Sequence, residues 1–369
     1  MPGMSAMLRR RPLFAPSRID GIDLARGLAV IGMLAAHLLA IPDFDWTIPS
    51  SYEGIVHGRS SILFATLAGV SIGLISGGPV PLRGPRLETA RLRLLVRAGA
   101  IWVIGVLLLF LAVPVYVILP AYALLFVIAA AVLPLRARTL LIAAAVVGLV
   151  APFPQAAIDG LSFWSTPEGV DVSNAVGWHY PFLTWMAFVL AGMGAARLDL
   201  RSRATPRFLA LAGLALTAAG AALDIVWGRS EVFGQTPWTG EAHSSGLFEV
   251  IGSGGFALLV IGVCVLVCRT PLTWVALPLR AVGSMPLTAY SAQIVVWALT
   301  RPAAEPGVFE LDSYRALDPF WPMTLGIIVG CTAWALAVGR GPLEAGIDAL
   351  ARLTVRGRVE APGTAMPPR

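Results

Sequence analysis

The chain has 369 residues, 57% of them hydrophobic and 13% charged, with a mean hydropathy of +0.78. A soluble domain carries roughly one-quarter charged residues, so this composition excludes a protein whose main solvent is water. The net charge of +6 rests on 27 arginines and no lysine. Their positions follow a membrane topology, which leaves nothing for nucleic-acid binding to explain.

In chain order the hydrophobic residues fall in blocks at about 22–41, 60–77, 97–113, 115–134, 139–153, 179–196, 207–227, 247–268, 280–299 and 321–339. Most are roughly 17–22 residues long, the length a helix rising ~1.5 Å per residue needs to cross a ~30 Å hydrocarbon core. Lipid cannot satisfy open backbone groups, and the blocks show no dyad alternation, so helices rather than barrel strands are expected. The expected fold class is all-α: a polytopic membrane helix bundle of about ten transmembrane helices with both termini cytoplasmic. Its least marked boundaries are the turn at Ala112, Val113 and Pro114 and the short fifth block, which ends at Pro152 and Pro154.

Charge tests this order independently. With a cytoplasmic N-terminus, 23 arginines fall on the cytoplasmic side and only Arg59, Arg229, Arg301 and Arg315 outside, the asymmetry that the positive-inside rule requires. Residues 1–21 read as a cytoplasmic arm leading into a retained signal anchor, because no small-residue cleavage site follows Arg9 to Arg11. Residues 22–345 form one membrane domain. Residues 346–369 are a basic tail without apolar period, expected to be disordered at the cytoplasmic face. No internal repeat stands out, which weakens an inverted-repeat transporter. The exclusive use of arginine points to a high-GC bacterium, and so to its inner membrane. Cys264, Cys268 and Cys331 read as small packing residues. Gly69 with Gly73, and Gly192 with Ala196, form small-xxx-small pairs that let helices approach closely in lipid.

The informative polar residues lie in the first two spans. R-I-D-G-I-D-L-A-R-G-L-A-V-I-G-M-L-A-A-H, Arg18 to His37, places Asp20, Asp23 and Arg26 at the cytoplasmic entrance and His37 far along the same helix. Eleven residues at ~100° each bring Arg26 and His37 within about 20° of one helix face, ~16 Å apart along the axis. Asp23 and Arg26 can pair. Arg26 reads either as an interfacial anchor or as a functional cation, and His37 either as an idle interfacial residue or as a base. All four histidines, His37, His57, His179 and His243, fall on the outer side. An imidazole titrates near neutrality and can take a proton from an attacking hydroxyl or amine. The histidines have no HxxxH spacing, so no metal site is expected.

These residues sit in segments that resemble a known family. I-D-G-I-D-L-A-R-G-L-A-V-I-G-M-L-A-A-H is similar to the first span of the transmembrane acyltransferases related to heparan-alpha-glucosaminide N-acetyltransferase. H-G-R-S-S-I-L-F-A-T-L-A-G-V-S-I-G-L from His57 resembles their second span. Further likeness lies in H-Y-P-F-L-T-W-M-A-F-V-L-A-G-M from His179, G-S-M-P-L-T-A-Y-S-A-Q from Gly283 and G-P-L-E from Gly341. The ordered series reaches from about Ile19 to Glu344. The Arg26 to His37 spacing also resembles that of the acyltransferase-three family of membrane O-acyltransferases. The resemblance implies that an acyl group passes from cytoplasmic acyl-CoA to an acceptor, usually a glycan, on the other side. It makes His37 the catalytic base or acyl-handling residue, with Arg26 helping to place the donor. There is one departure. The lysosomal member has Asn at the corresponding first-span position and its catalytic His in the following loop, where this chain offers Ile48 and its neighbours. His57 is therefore a rival to His37.

The residues fit this chemistry on their own terms, since acyl transfer from a thioester needs a base, oxyanion stabilisation and charge to hold an anionic CoA. His37 or His57 can be the base. Arg59, Ser60 and Ser61 open the second span, and His179 opens the sixth. Arg83, Arg86, Arg91, Arg93 and Arg97 form the densest inner cluster, serving either lipid headgroups or the donor. Asp23 and Arg91 join Arg26 as expected donor-binding residues. Tyr290 and Gln293, three apart, either line a polar cavity or bond between helices. The expected function is acetyl or short-acyl transfer from acetyl-CoA or another acyl-CoA to a hydroxyl or amine of an extracytoplasmic glycan or small molecule. The alternative is a multi-span transporter or flippase.

Overall fold

A computed structural model describes residues 12–228, 237–301 and 311–359. Those residues are helical or irregular, with no strand among them. In chain order the main helices are α1 (Asp20–Leu38), α2 (Arg59–Ile75), α3 (Gly84–Leu109), α4 (Leu119–Val132), α5 (Ala137–Val150), α6 (Pro152–Asp159), α7 (Pro167–Val176), α8 (Phe182–Arg197), α9 (Ala204–Leu223), α10 (Leu247–Val267), α11 (Leu277–Ser284), α12 (Pro286–Thr300), α13 (Phe320–Ala337) and α14 (Pro342–Val359). Each of the ten hydrophobic blocks corresponds to a helix or a bent helix pair.

Six of these are long and apolar enough, by length and composition, to cross a bilayer, and eight if each bent pair is one span. The chain is thus a multi-pass membrane helical bundle. The pairs are α5 with α6, bent by 42°, and α11 with α12, bent by 87°. Both breaks fall at a proline, Pro152 and Pro286, which supplies no N–H and cannot continue the preceding helix. The ninth block is therefore broken within its length, and the fifth bends where it ends at its prolines. α4 and α8 are shorter apolar helices.

α1 and α2 are central and mostly buried, whereas α3 and α9 lie at the periphery with most of their apolar residues half-buried or exposed. α2 packs along α8, α5 along α8, α11 across α1, α9 along α10, and α3 along α4. The α2–α8 contact runs through the expected small residues. A methyl group at Gly73 would lie 2.6 Å from Cβ of Ala196, and one at Gly192 would overlap the Thr66 carbonyl. Close backbone approach of this kind substitutes for the hydrophobic drive that lipid removes.

The bundle has two chemically distinct ends. One gathers Arg18, Arg26, Arg83, Arg86, Arg136, Arg138, Arg197, Arg201, Arg269, Arg280 and Arg340, and is cross-tied. Arg201 donates to the carbonyls of Pro16 and Ser17, Arg269 to those of Leu200 and Ser202, and Arg280 pairs with Asp20 at 2.6 Å. The other end carries the histidines together with Arg59, Arg301 and Arg315; Arg229 lies outside the described residues. One expectation is corrected here. The chain beyond residue 345 continues as α14 through Val359 rather than as an unstructured tail. Burial of Ala351 and Val355, and the pairing of Asp348 with Arg97 of α3 at 2.8 Å, give this helix a docking face.

Candidate functional site

At the histidine end α1 stops at Leu38, leaving unpaired carbonyls in its last turn. Arg315 satisfies two of them, donating from Nε to the His37 carbonyl at 3.1 Å and from Nη2 to that of Ala36 at 3.3 Å. The His37 ring lies 6.5 Å from that of Trp297, which stacks on Tyr314. Across from it, the chain reaches α2 through His57 in extended backbone and Gly58 at φ +66°. Ser61 returns a hydrogen bond to the Gly58 carbonyl at 2.7 Å.

These groups enclose a cavity of about 430 Å³. His37, His57, His179 and His243 all line it, together with Ser60, Ser61, Tyr116, Tyr290, Ser245 and Arg315. Four histidines spread over some 200 positions of sequence thus meet at one place. Gly32 lets α1 approach Ser60, since a side chain there would collide with the Ser60 hydroxyl. His179 stacks on Tyr116 at 3.3 Å between ring centroids, and Tyr180 donates to the Tyr116 carbonyl at 3.3 Å. The Tyr290 hydroxyl accepts from the Ile118 amide at 3.2 Å. Nε2 of His57 is buried and has no hydrogen-bond partner among the described residues. Such an atom costs free energy until something pairs with it.

The loop carrying His243 has a carboxylate under it. Glu249, in the first turn of α10 and buried, accepts the amides of His243 and Ser245, both at 2.7 Å, and the Ser244 hydroxyl at 3.3 Å. His243 and Ser245 adopt φ of +65° and +53°, values that L-residues with side chains seldom take without support. The two hydrogen bonds to Glu249 supply it. Although the rings of His179 and His243 are open to the cavity, the surrounding walls hold both below the ordinary imidazole range, chiefly by dehydration. For His243 the neighbouring His57 and His179 add to this. Among the described residues no three histidine, cysteine or acidic side chains converge as a metal ligand set.

The other expected site residues are placed differently. Arg59 does not line the cavity; its guanidinium lies 4.2 Å from the centroid of Phe44 and 5.5 Å from that of Trp46, a cation–π arrangement. Gln293 is buried next to Tyr290 on α12 but off the cavity, with Nε2 unpartnered among the described residues. At the arginine end Asp23 accepts two bonds of 2.7 Å from Arg18 and one of 2.9 Å from Arg26, whose Nη2 reaches Ser71 of α2 at 2.8 Å. Arg26 thus faces α2, while the His37 ring lies toward Trp297 of α12 and lines the cavity that Ser60 and Ser61 of α2 also line. Arg91 bonds the Ala130 carbonyl at 3.0 Å and Glu88 at 3.1 Å, so it is engaged between α3 and α4.

Sequence reasoning passed over Glu249, Arg315, Tyr116 and Asp159. A carboxylate opening an apolar span was a visible signal for Glu249; the others join the cavity only through tertiary contacts. The late motifs also meet. Glu344 of G-P-L-E accepts the amides of Leu287 and Thr288, at 2.8 and 3.1 Å, and the Thr288 hydroxyl at 2.5 Å. It thereby caps the start of α12, which carries Tyr290.

The family model described as heparan-alpha-glucosaminide N-acetyltransferase, catalytic, matches residues 18–230. A model described as a protein of unknown function (DUF418) matches residues 193–351. Comparison with curated proteins finds no match. His37, His57, Ser60, Ser61 and His179 fall in the first match, and His243, Tyr290 and Arg315 in the second, so the cavity is assembled from both. The first match covers more than half of the chain and includes the α1 and α2 segments that build the cavity's inner wall. The chain belongs to the heparan-alpha-glucosaminide N-acetyltransferase catalytic family.

Proposed function

We propose that this protein transfers an acetyl or other short acyl group from acyl-CoA to a hydroxyl or amine of an extracytoplasmic glycan or small molecule. Family membership points to a membrane acetyltransferase. The observation that carries the reading is the convergence of four histidines, Ser60, Ser61 and Tyr290 on one cavity at the end of the helix that also bears Arg26. In this reading the bundle spans the membrane ten times, with the arginine end and both termini cytoplasmic and the histidine cavity facing outward.

His37 is the general base. It takes the proton as the acceptor oxygen or nitrogen bonds to the acyl carbonyl carbon, and the carbon–sulfur bond then breaks to release CoA as its thiolate. Tyr290 or Ser60 donates a hydrogen bond to the oxyanion. Arg26, held by Asp23 and Ser71, presents positive charge toward the donor, with Asp23 fixing its orientation. Arg91 and Arg59 act at one remove, bracing the helices. His179 and its Tyr116 stack form the acceptor wall. A second reading gives the proton-accepting role to His57, and the buried, unpartnered Nε2 of that residue favours it.

Incubating the purified protein with acetyl-labelled acetyl-CoA, with and without cell-surface glycan extract, tests the proposal. Acceptor-dependent release of free CoA with label in the glycan is the expected result. Acceptor movement across vesicles with no thioester consumed would instead establish a transporter.

A further inference from the structure

A second cavity lies at the arginine end, between the turn joining α2 to α3 and the turn joining α4 to α5. Its volume is about 790 Å³, and Arg83, Arg86, Arg136, Arg138 and Arg197 line it with no carboxylate among its walls. Sequence proximity had grouped Arg83 and Arg86 with Arg91, Arg93 and Arg97. The fold divides that run, because Arg91 is tied to Glu88 and Ala130, Arg97 is tied to Asp348, and Arg93 is not among the lining residues. In their place it brings Arg136 and Arg138 from another loop. Arg83, Arg86, Arg136 and Arg138 are exposed and make no hydrogen bond or ion pair with the described residues.

The cleft is built rather than a chance gathering of flexible side chains. Arg197, 5% exposed, forms its floor. It donates to the carbonyls of Gly73 and Gly78 on one turn, at 2.8 and 2.6 Å, and to that of Leu133 on the other at 2.8 Å. Another bond, of 2.9 Å, goes to the Ser76 hydroxyl. One guanidinium therefore fixes the spacing of both walls. Arg83 and Arg136 are themselves the N-cap residues of α3 and α5, and neither helix start has a side-chain cap. Two helix N-termini, with free amides and the positive ends of their dipoles, thus open where four unpaired guanidiniums gather. Elsewhere at this end Arg18, Arg26, Arg201, Arg269 and Arg280 each have a carboxylate or carbonyl. Arg93, Arg203 and Arg207 are also exposed and without a partner among the described residues, but they stand apart from this cleft and do not line it.

We infer that this cleft binds a phosphate-bearing group, a diphosphate or phosphomonoester, through the forked donors of Arg83, Arg86, Arg136 and Arg138. Guanidinium forks match the geometry of phosphate oxygens and gain specificity from bidentate bonding. The group can be delivered by a soluble nucleotide phosphate, the donor's included, or by an anionic phospholipid headgroup. The inference concerns binding at the end opposite the histidine cavity and stands whether or not acyl transfer occurs there.

The test uses the full chain in phosphatidylcholine nanodiscs, titrated with inorganic pyrophosphate by calorimetry. In parallel, native mass spectrometry follows retention of phosphatidylglycerol from mixed-lipid discs. Saturable pyrophosphate binding assigns a soluble source, and selective phosphatidylglycerol retention without it assigns the lipid. In either case Arg83→Gln/Arg136→Gln should weaken binding at least about ten-fold. Replacing all four cleft arginines by lysine keeps the charge and the insertion signal but loses the forks, so it should weaken binding by a smaller factor. Arg93→Gln/Arg203→Gln, at the same end but off the cleft, should leave it unchanged. The inference is overturned if neither probe binds, or if the off-cleft pair weakens binding as much as the cleft pair, which would reduce the effect to bulk surface potential.

Discussion

The two ends of the bundle use polar residues in opposite ways. At the arginine end polar groups are consumed in holding the fold. Asp23 is clasped by Arg18 and Arg26, Asp20 by Arg280, Asp348 by Arg97, Arg340 and Arg352, and loop carbonyls by Arg197, Arg201 and Arg269. At the histidine end there are few ion pairs. Aromatic stacks hold the cavity walls, one carboxylate, Glu249, organises the loop, and the His57 nitrogen is left unpaired. Buried polar groups already satisfied contribute to structure, whereas those left unsatisfied beside a cavity are poised for a ligand. On the function proposed, the histidine end is the chemical one and the arginine end the frame, with the basic cleft as the frame's exception.

The most decisive way to break this comparison is to ask whether the ends face opposite compartments. In a variant with Cys264, Cys268 and Cys331 replaced, a cysteine at the exposed Ser50 should react with an impermeant thiol reagent on intact cells, and one at Thr270 should not. Equal labelling of both would overturn the ten-span arrangement.

Turnover gives the next largest effect. His37→Ala should reduce kcat by about two to four powers of ten with insertion and acyl-CoA binding intact, the usual contribution of a general base. Activity should also be lost at any pH low enough to protonate the ring, because a protonated imidazole cannot accept the acceptor's proton. Full activity in His37→Ala with loss in His57→Ala would move the chemistry to the residue with the unpaired nitrogen.

Arg26 tests whether the frame also serves the donor. Arg26→Ala should weaken apparent acyl-CoA affinity about ten- to a hundred-fold, the scale of hydrogen bonds to charged groups, and Arg26→Lys should restore only part of it. If steady-state donor kinetics are unchanged in correctly inserted Arg26→Ala protein, the residue serves only Asp23 and Ser71.

How much of this was legible in the sequence follows from the range of the interactions. The ten apolar blocks, the small-residue pairs at Gly69 with Gly73 and Gly192 with Ala196, and the Asp23–Arg26 pair all depend on local spacing, and each has its counterpart in the structure. The bends at Pro152 and Pro286 were marked by the prolines, but their angles depend on packing. Helix α14 was missed because it is polar on average, although Leu343, Ile347, Ala351 and Val355 recur along one face, and because its burial depends on α3. The meeting of the histidines was visible only as a shared side. That His179 and His243 reach His37 depends on loops whose shape is set by Tyr116 and Glu249, contacts no spacing rule gives. Glu249→Gln sharpens this point. One oxygen becomes an NH₂ facing a backbone N–H, so the His243 loop should lose its strained φ values and turnover should fall about ten-fold. His243→Ala should add little in that background, because the two residues act through one loop; full additivity would separate them.

The smallest effects come from pH acting on each end alone. His179 and His243 are held below the ordinary imidazole range in the fold, so as pH falls below about 6.5 the unfolded chain binds protons first. Their contribution to stability is present above that value and lost as pH approaches the lowered folded values. Asp348 behaves differently. Burial pushes its carboxyl up, but the hydrogen bond and charge of Arg97, with Arg352 and Arg340, outweigh burial and hold it below the usual carboxylate range. Its contribution is therefore kept down to about pH 3.9 and lost only as pH falls through the lower folded value. Hydrogen exchange measured against pH should show the loops around His179 and His243 loosening first, with α14 still protected. Asp348→Asn should abolish that separation by loosening α14 already at neutral pH, at a cost of about 1 kcal/mol, since partly exposed ion pairs contribute no more than this each. Protection of α14 that is unchanged in Asp348→Asn would mean that its apolar face against α3, with Ala351 and Val355, holds it without the arginine network.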